Sequence, residues 1–248
     1  MAFTKSNLAS FALRDAQIPE NSSTSSVQAL ADAKNYIDEA ALDVYSRRIW
    51  PEYIILGTAS VAVSDPDIAL SDITAVSPFN TAANGRGSSF ATVTGVRSGS
   101  DPLYAVDAHS LNALSPLAWS QATNPLTFWP RGTSGIYLTG GGLTQAATLS
   151  FIGKATFQVL GDSESWILEP QGKALQIYAT AKLIKFNDRD DGRHQALMQD
   201  FENEIQKLID KIEVQSATDR RVIPLIPWTA DQWNISITSL TGSGNNLL

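Results

Sequence analysis

The residue types best suited to hydrolysis stand together at Asp107, His109 and Ser110. They are the three types of a serine-hydrolase triad, but a triad is assembled from residues far apart in the sequence, so their adjacency does not predict one. The nucleophile elbow Gly-x-Ser-x-Gly is also missing, because the segments 99–101 and 132–135 lack its spacing. We therefore interpret His109 as a loop histidine and expect no catalytic residue. A hydrolase that uses His109 and nearby acids is the enzymatic alternative.

A glycine-rich stretch over 132–142 is the second candidate, since backbone N–H groups in such loops can bind phosphate. A Walker loop ends in Gly-Lys-Ser/Thr and opens a helix. Here Gly140–Gly142 is followed by Leu-Thr-Gln and by a run typical of a strand. The stretch is better interpreted as a hairpin or a flexible loop, and no cofactor is expected; the sequence defines no ligand for it.

The acidic segment 187–192 resembles a calcium loop only superficially. With Gly192 at the sixth loop position, Arg189 occupies a ligand position and Met198 stands where the bidentate glutamate belongs. The chain has no cysteine and only two histidines, His109 and His194, far apart in sequence. We expect no metal site, and we interpret 187–192 as a turn between two helices.

Composition and net charge restrict the classes of protein to which this chain can belong. The chain has 248 residues, of which 43% are hydrophobic and 17% charged, and its net charge of −7 opposes sequence-specific DNA binding. No window reaches the roughly 18 apolar residues of a membrane helix, and the first residues are too polar for a secretory signal. These features are typical of an acidic protein of the cell interior or of a virion.

Two helical regions stand at opposite ends of the chain. Apolar residues spaced three, four and seven apart predict a helix over 26–48, which Pro51 terminates. A second helix is predicted over 172–186, and a third of about twenty residues follows the turn at 187–192. Its heptad seam consists of Met198, Phe201, Ile205, Leu208 and Ile212. We expect 26–50 and 172–215 to form one helical domain.

The intervening region 51–171 has a β pattern. Nine charged residues and no lysine occur in 51–150, where short β-branched and aromatic runs alternate with turn clusters. This spacing predicts an antiparallel β-sandwich or barrel-like domain, so the fold class is α+β. Lysine on edge strands opposes edge-to-edge pairing, and its absence predicts that other copies or partners cover this region.

Extended segments are expected at both ends, an arm and linker over 1–25 and a tail over 216–248. Trp228 and Trp233 in the tail are candidate contacts for neighbouring proteins. A second hypothesis is a carbohydrate-binding fibre or a capsid decoration module, in which Trp119, Trp129 and Trp166 would contact glycans.

The order of these elements resembles the head-to-tail adaptor, or connector, proteins of tailed bacteriophages. The similarity spans about 26–215 and lies in four phrases. They are the helix end Tyr45–Pro51, the strand Leu126–Arg131, the aromatic-proline phrase Trp166–Pro170 and the alanine-rich helix Ala174–Ala181 with its central tyrosine.

The resemblance implies a ring, often of twelve copies, that docks on the portal protein and offers a platform to tail or neck proteins. DNA would pass through its channel as a non-specific cargo, and the ring would be assembled in the host cytoplasm and remain in the virion. The family has no catalytic residues to transfer. The expected partner-binding residues are Trp129, Arg131, Trp228 and Trp233.

Overall fold

The computed structural model shows a mixed α+β protein. It describes residues 3–18, 24–63, 65–106, 127–131, 134–138, 145–169, 171–187 and 190–218. Among the residues singled out from the sequence, His109, Trp119, Trp228, Trp233 and most of the 132–142 stretch lie outside the described residues.

The four helices of the described chain are α1 (Lys5–Asp15), α2 (Thr24–Arg47), α3 (Lys173–Asn187) and α4 (Asp191–Thr218). Packing joins α1, α2 and α3 to one another. The buried side of α2 is formed by Ala33, Ile37, Ala40, Ala41 and Val44, the helical periodicity expected from the sequence. The Trp50 indole, fully buried, donates to the Val44 carbonyl at 2.8 Å just beyond the helix end.

An extended N-terminal arm was the wrong expectation for Lys5–Asp15. Leu8, Ala9, Ala12 and Leu13 form one buried face of α1, which packs against α2 and α3. Arg14 and Asp15, the polar residues that end this segment, are exposed on the last turn of α1. Gly172 makes room for this packing, because a Cβ there would stand 2.4 Å from Leu8 Cδ1.

Within the residues that the structure describes, eight strands form one open, curled sheet of half-barrel shape in the order β2-β7-β6-β5-β4-β8-β1-β3. Every strand pair with a resolved register is antiparallel except β5 with β6. The strands are β1 (Ile54–Val61), β2 (Asp67–Ala69), β3 (Thr74–Ala75), β4 (Arg86–Ser98), β5 (Asp101–Ala105), β6 (Thr127–Pro130), β7 (Gly135–Leu138) and β8 (Ala147–Phe157).

The sequence pattern predicted a β-sandwich or a barrel-like domain, and the described strands form one curled, open sheet. Its core is built from alternating residues of one face, among them Ile55, Phe90, Phe128, Leu149 and Phe151. The Phe90 ring packs over glycine on two strands, since a Cβ at Gly57 or Gly153 would lie 2.6 or 2.9 Å from it. Glycine in a strand interior permits such close approach and bending. From the local sequence alone, a glycine inside a strand looks the same as a glycine in a turn between two strands.

The described residues divide into two compact units. The helical unit takes them from Met1–Glu52, Ala82–Gly87 and Phe157–Gln215, and the β unit takes them from Tyr53–Thr81, Ser88–Thr156 and Ser216–Leu248.

Candidate interaction surface

Three strands of the β unit place polar and aromatic side chains in one row. Asp67 on β2 pairs with Tyr137 on β7, and Tyr137 pairs with Trp129 on β6. Directly paired residues of antiparallel strands project their side chains to the same face of the sheet. With Arg131, which follows β6, these residues form what we call the Arg131 cluster: Asp67, Trp129, Arg131 and Tyr137.

The residues that alternate with this row along the same strands are buried, which shows that the row lies on the face of the sheet opposite the core. Ile68 pairs with Ile136 and Phe128 pairs with Leu138, and all four side chains are buried in the β-unit core. The period-two alternation of a strand therefore leaves Asp67 exposed and Trp129 and Tyr137 half-buried. Burial of the core residues holds the row in register, because a slip by one residue would exchange the two faces.

Gly135 allows β2 to approach β7 closely enough to complete the row. Its φ is +134°, and a Cβ on it would stand 2.1 Å from the Ile68 carbonyl oxygen. The Gly135 carbonyl also accepts from the backbone N–H of Arg131 at 2.8 Å, which ties the end of β6 to the start of β7. The glycine is thus required by sterics, and it belongs to a strand, not to a loop that opens a helix.

The Arg131 guanidinium lies over both aromatic rings. Its central carbon is 5.3 Å from the Tyr137 ring centroid and 5.7 Å from that of Trp129. Nη1 donates to Asp67 Oδ1 at 2.5 Å, while the Arg131 and Asp67 side chains stay 41% and 58% exposed. Contacts of this exposure contribute only about 0.5–1 kcal/mol each to stability, so the main effect of the cluster is to hold the guanidinium, paired with Asp67, over the two rings.

The structure places the contact residues predicted from the sequence in different surroundings. Trp129 and Arg131 come together, as side chains of one cluster. Trp166 is 1% exposed and lies in the core of the helical unit, so its expected role as a glycan contact is wrong. Sequence reasoning missed Asp67 and Tyr137 as members of the cluster. The Ser-Asp-Pro-Asp turn signal was visible, but only the strand register reveals that Asp67 meets β7.

His194 was expected to be an exposed histidine in the first turn of its helix. It is half-buried in α4, where its Nδ1 lies 3.0 Å from the Ala181 carbonyl oxygen of α3. This contact helps to hold the two helices together. Within the described ranges, no group of three or more histidine, cysteine, aspartate or glutamate side chains could hold a metal ion.

Comparison with known proteins gives no family assignment. The sequence matches no family model, and no curated protein matches it significantly. In the part of the chain that the structure describes, every helix is too short or too polar to cross a membrane.

Proposed function

We propose that this protein is a structural virion protein of the phage head-tail junction. Its copies form a ring that docks on the portal protein and provides the attachment platform for the tail. The observation that carries the proposal is the Arg131 cluster, a prearranged guanidinium on two aromatic rings at the surface of a charge-poor β unit. Arginine, tryptophan and tyrosine are the residue types most enriched at the energetic centres of protein interfaces.

Composition supports the same proposal. The β region 51–150 has no lysine, which suits a surface covered by neighbouring subunits. The net charge of −7 suits a ring whose channel passes DNA without retaining it, because like charges repel. The proposal assigns no catalytic role, and the tail residues Trp228 and Trp233 are the further partner contacts it includes.

Native mass spectrometry and negative-stain imaging test the proposal, on the protein alone and after mixing with DNA-filled heads that lack tails. We expect rings, or capture at a single vertex of the head. Arg131→Ala should weaken ring formation or capture. Arg14→Ala is the matched control, because Arg14 is also exposed, lies 5.1 Å from the Phe11 ring centroid and pairs with Asp15. A protein that stays monomeric and ignores the heads would overturn the proposal.

A carbohydrate-binding fibre or capsid decoration module is the second candidate. The half-buried aromatic pair Trp129 and Tyr137 favours it, since sugars stack on such rings. However, Arg131 occupies a ring face of both residues. If glycan binding were the function, Arg131→Ala would free this face and raise binding on a glycan array. Under the head-tail proposal the array stays silent for both proteins.

A further inference from the structure

An apolar row on the β unit carries an inference that rests on the proposed ring and specifies which surfaces of two copies meet. Leu56 on β1 pairs with Ile152 on β8. On the other side of β1, the N–H of Val76 donates to the Leu56 carbonyl at 3.0 Å, in continuation of the register between β1 and β3. Directly opposed residues of antiparallel strands share a face of the sheet and lie about 5 Å apart. We call Val76, Leu56 and Ile152 the Leu56 row.

The Leu56 row lies on the face of the sheet opposite the core. The residues that alternate with it along the chain are buried: Ile55, Ala75 and Phe151. Leu56 is 43% exposed and Val76 is 36% exposed, while Ile152 is half-buried. The outer face of an antiparallel sheet is normally polar, and a contiguous apolar row on such a face is typical of a contact surface.

The surroundings of the Leu56 row indicate what could contact it. The next row on this face consists of short hydroxyl side chains, Thr74, Thr58 and Ser150, which let bulky groups of another molecule approach the sheet. Lys154 lies two residues beyond Ile152 on the same face of β8. Burial lowers the pKa of Lys154, so a carboxylate brought beside it would stabilise its charged form. The surface therefore fits bulky, weakly hydrated side chains with an acid at their side.

The Arg131 cluster presents this combination of side chains. The Arg131 guanidinium lies flat over the Trp129 and Tyr137 rings, and the Asp67 carboxylate beside it is 58% exposed. A guanidinium is more weakly hydrated than an ammonium group, and arginine and aromatic residues are enriched in the centres of interfaces. The cluster lies on the same side of the sheet as the Leu56 row, because the residues buried behind the two surfaces belong to one hydrophobic core.

The strand order places the two surfaces at opposite ends of the sheet. Strands β2, β7 and β6 carry the Arg131 cluster, and β8, β1 and β3 lead into the Leu56 row. Two different surfaces on one chain allow a head-to-tail contact that repeats from copy to copy and can close into a ring. We propose that the Arg131 cluster of one copy docks on the Leu56 row of the next. Arg131 uses Oδ1 of Asp67, and Oδ2 of that carboxylate accepts from Lys154 in the proposed contact.

Cysteine cross-linking tests the contact directly, because the chain has no cysteine of its own. Ser150→Cys places a thiol beside the Leu56 row, and Ala69→Cys places one on the same face of β2 as Asp67. One variant of each mixture is isotope-labelled, so that the mass identifies the mixed dimer. With a short bismaleimide, we expect this pair to link at least roughly tenfold faster than Ser150→Cys with Ser46→Cys, an exposed position on α2.

The terminal segment 219–248 is the other occupant that the cross-linking can detect. Ser236→Cys serves as a third partner for Ser150→Cys. If the proposed contact forms, Ser236→Cys should link no faster than Ser46→Cys. Fastest linking to Ser236→Cys would assign the Leu56 row to the terminal segment and overturn the proposal.

Leu56→Asp tests the Leu56 row itself. A carboxylate buried there without a partner should slow the selective cross-link and weaken ring formation, each at least roughly tenfold. Ser60→Asp is the matched control, because it adds the same charge on the same strand and face outside the row, and we expect a change below about threefold. The cysteine pair leaves Leu56 unchanged, which covers the case that Leu56→Asp folds poorly.

The outcomes separate this contact from the head-tail function. Equal linking rates for Ala69→Cys and Ser46→Cys, or rings that persist unchanged in Leu56→Asp, would overturn the contact and leave the head-tail function to the capture of heads. Selective cross-linking in a protein that ignores the heads would retain the contact and overturn the head-tail function.

Discussion

The Tyr178 hydroxyl on α3 donates a hydrogen bond of 2.6 Å to Glu39 Oε1 on α2. Lys182 donates to the same oxygen at 3.0 Å, and its ammonium nitrogen lies 5.0 Å from the Tyr178 ring centroid. Burial alone would raise the pKa of Glu39, but these two hydrogen bonds outweigh it and hold that pKa below its usual value. The Tyr178 ring also meets Phe201 of α4 edge-on at 5.0 Å, so one side chain joins three helices.

Tyr178→Phe should therefore lower the free energy of unfolding by about 1–2 kcal/mol. The ring packing persists, while a hydrogen bond to a charged group is lost. Urea denaturation measures the difference. Tyr36→Phe is the control, because Tyr36 stacks on Phe186 at 6.0 Å and its hydroxyl makes no hydrogen bond within the described residues. Equal losses in the two variants would contradict the assignment to the Glu39 contact.

The ion pair between α2 and α4 predicts a pH dependence of stability. Two guanidinium nitrogens of Arg47 donate to the two carboxylate oxygens of Glu202, at 2.5 and 2.8 Å, and lower the pKa of Glu202 despite its partial burial. Because the folded pKa lies below the unfolded value near 4.3, the stabilisation is complete above that value and is lost as the pH falls through the lowered pKa.

Glu202→Gln should remove this component. Both side chains are partly exposed, at 32% and 47%, so we expect a loss of about 1 kcal/mol or less near neutral pH. The unfolding free energies of the variant and the parent should converge as the pH falls below 4. Thermal unfolding across this range is the measurement, with Asp210→Asn on the same helix as the control. A constant difference at all pH values would refute the linkage.

We expect replacement of Lys5 to change the free energy of unfolding more, because this lysine is only 6% exposed. Its ammonium group pairs with Asp38 at 2.5 Å and donates to the Leu160 carbonyl at 3.1 Å. Lys5→Met leaves the Asp38 carboxylate with the Leu160 N–H as its donor, at 3.3 Å. We expect a loss of about 2–4 kcal/mol in the free energy of unfolding. The double variant with Asp38→Asn should recover part of it, and chemical denaturation of both proteins decides the matter.

Two glycines with positive φ allow the stability cost of a steric clash to be measured apart from the cost of backbone strain. Gly135→Ala places a Cβ 2.1 Å from the Ile68 carbonyl oxygen, whereas Gly99, with φ +59°, has no atom within 4 Å of a built Cβ. Gly99→Ala should cost about 1 kcal/mol from its conformation alone. Gly135→Ala should cost clearly more and should also weaken ring formation or head capture. Equal costs in thermal unfolding would show that β2 is not held closely against β7.

The sequence predicted most of the helices but not the sheet architecture or the N-terminal helix. Periodic apolar residues predicted α2 and α4, each of which buries mainly one face that is readable from the spacing. The sequence also predicted α3, although α3 is buried on nearly all sides. The arrangement of eight strands in one sheet depends on long-range pairing, such as that of Ile68 with Ile136, which no local pattern contains. Trp129 and Arg131 were predicted as contacts, but their partners Asp67 and Tyr137 become visible only through the strand register.

The interrupted course of the helical unit has a consequence for synthesis on the ribosome. The apolar face of α2 finds its main partner in α3, yet the 125 residues 48–172 lie between the two helices. At a translation rate of about 5–20 residues per second, these residues take roughly 6–25 s to make. During that interval the side of α2 that packs on α3 lacks its partner, so we expect this apolar surface to stay open to solvent and to chaperones until α3 has been made.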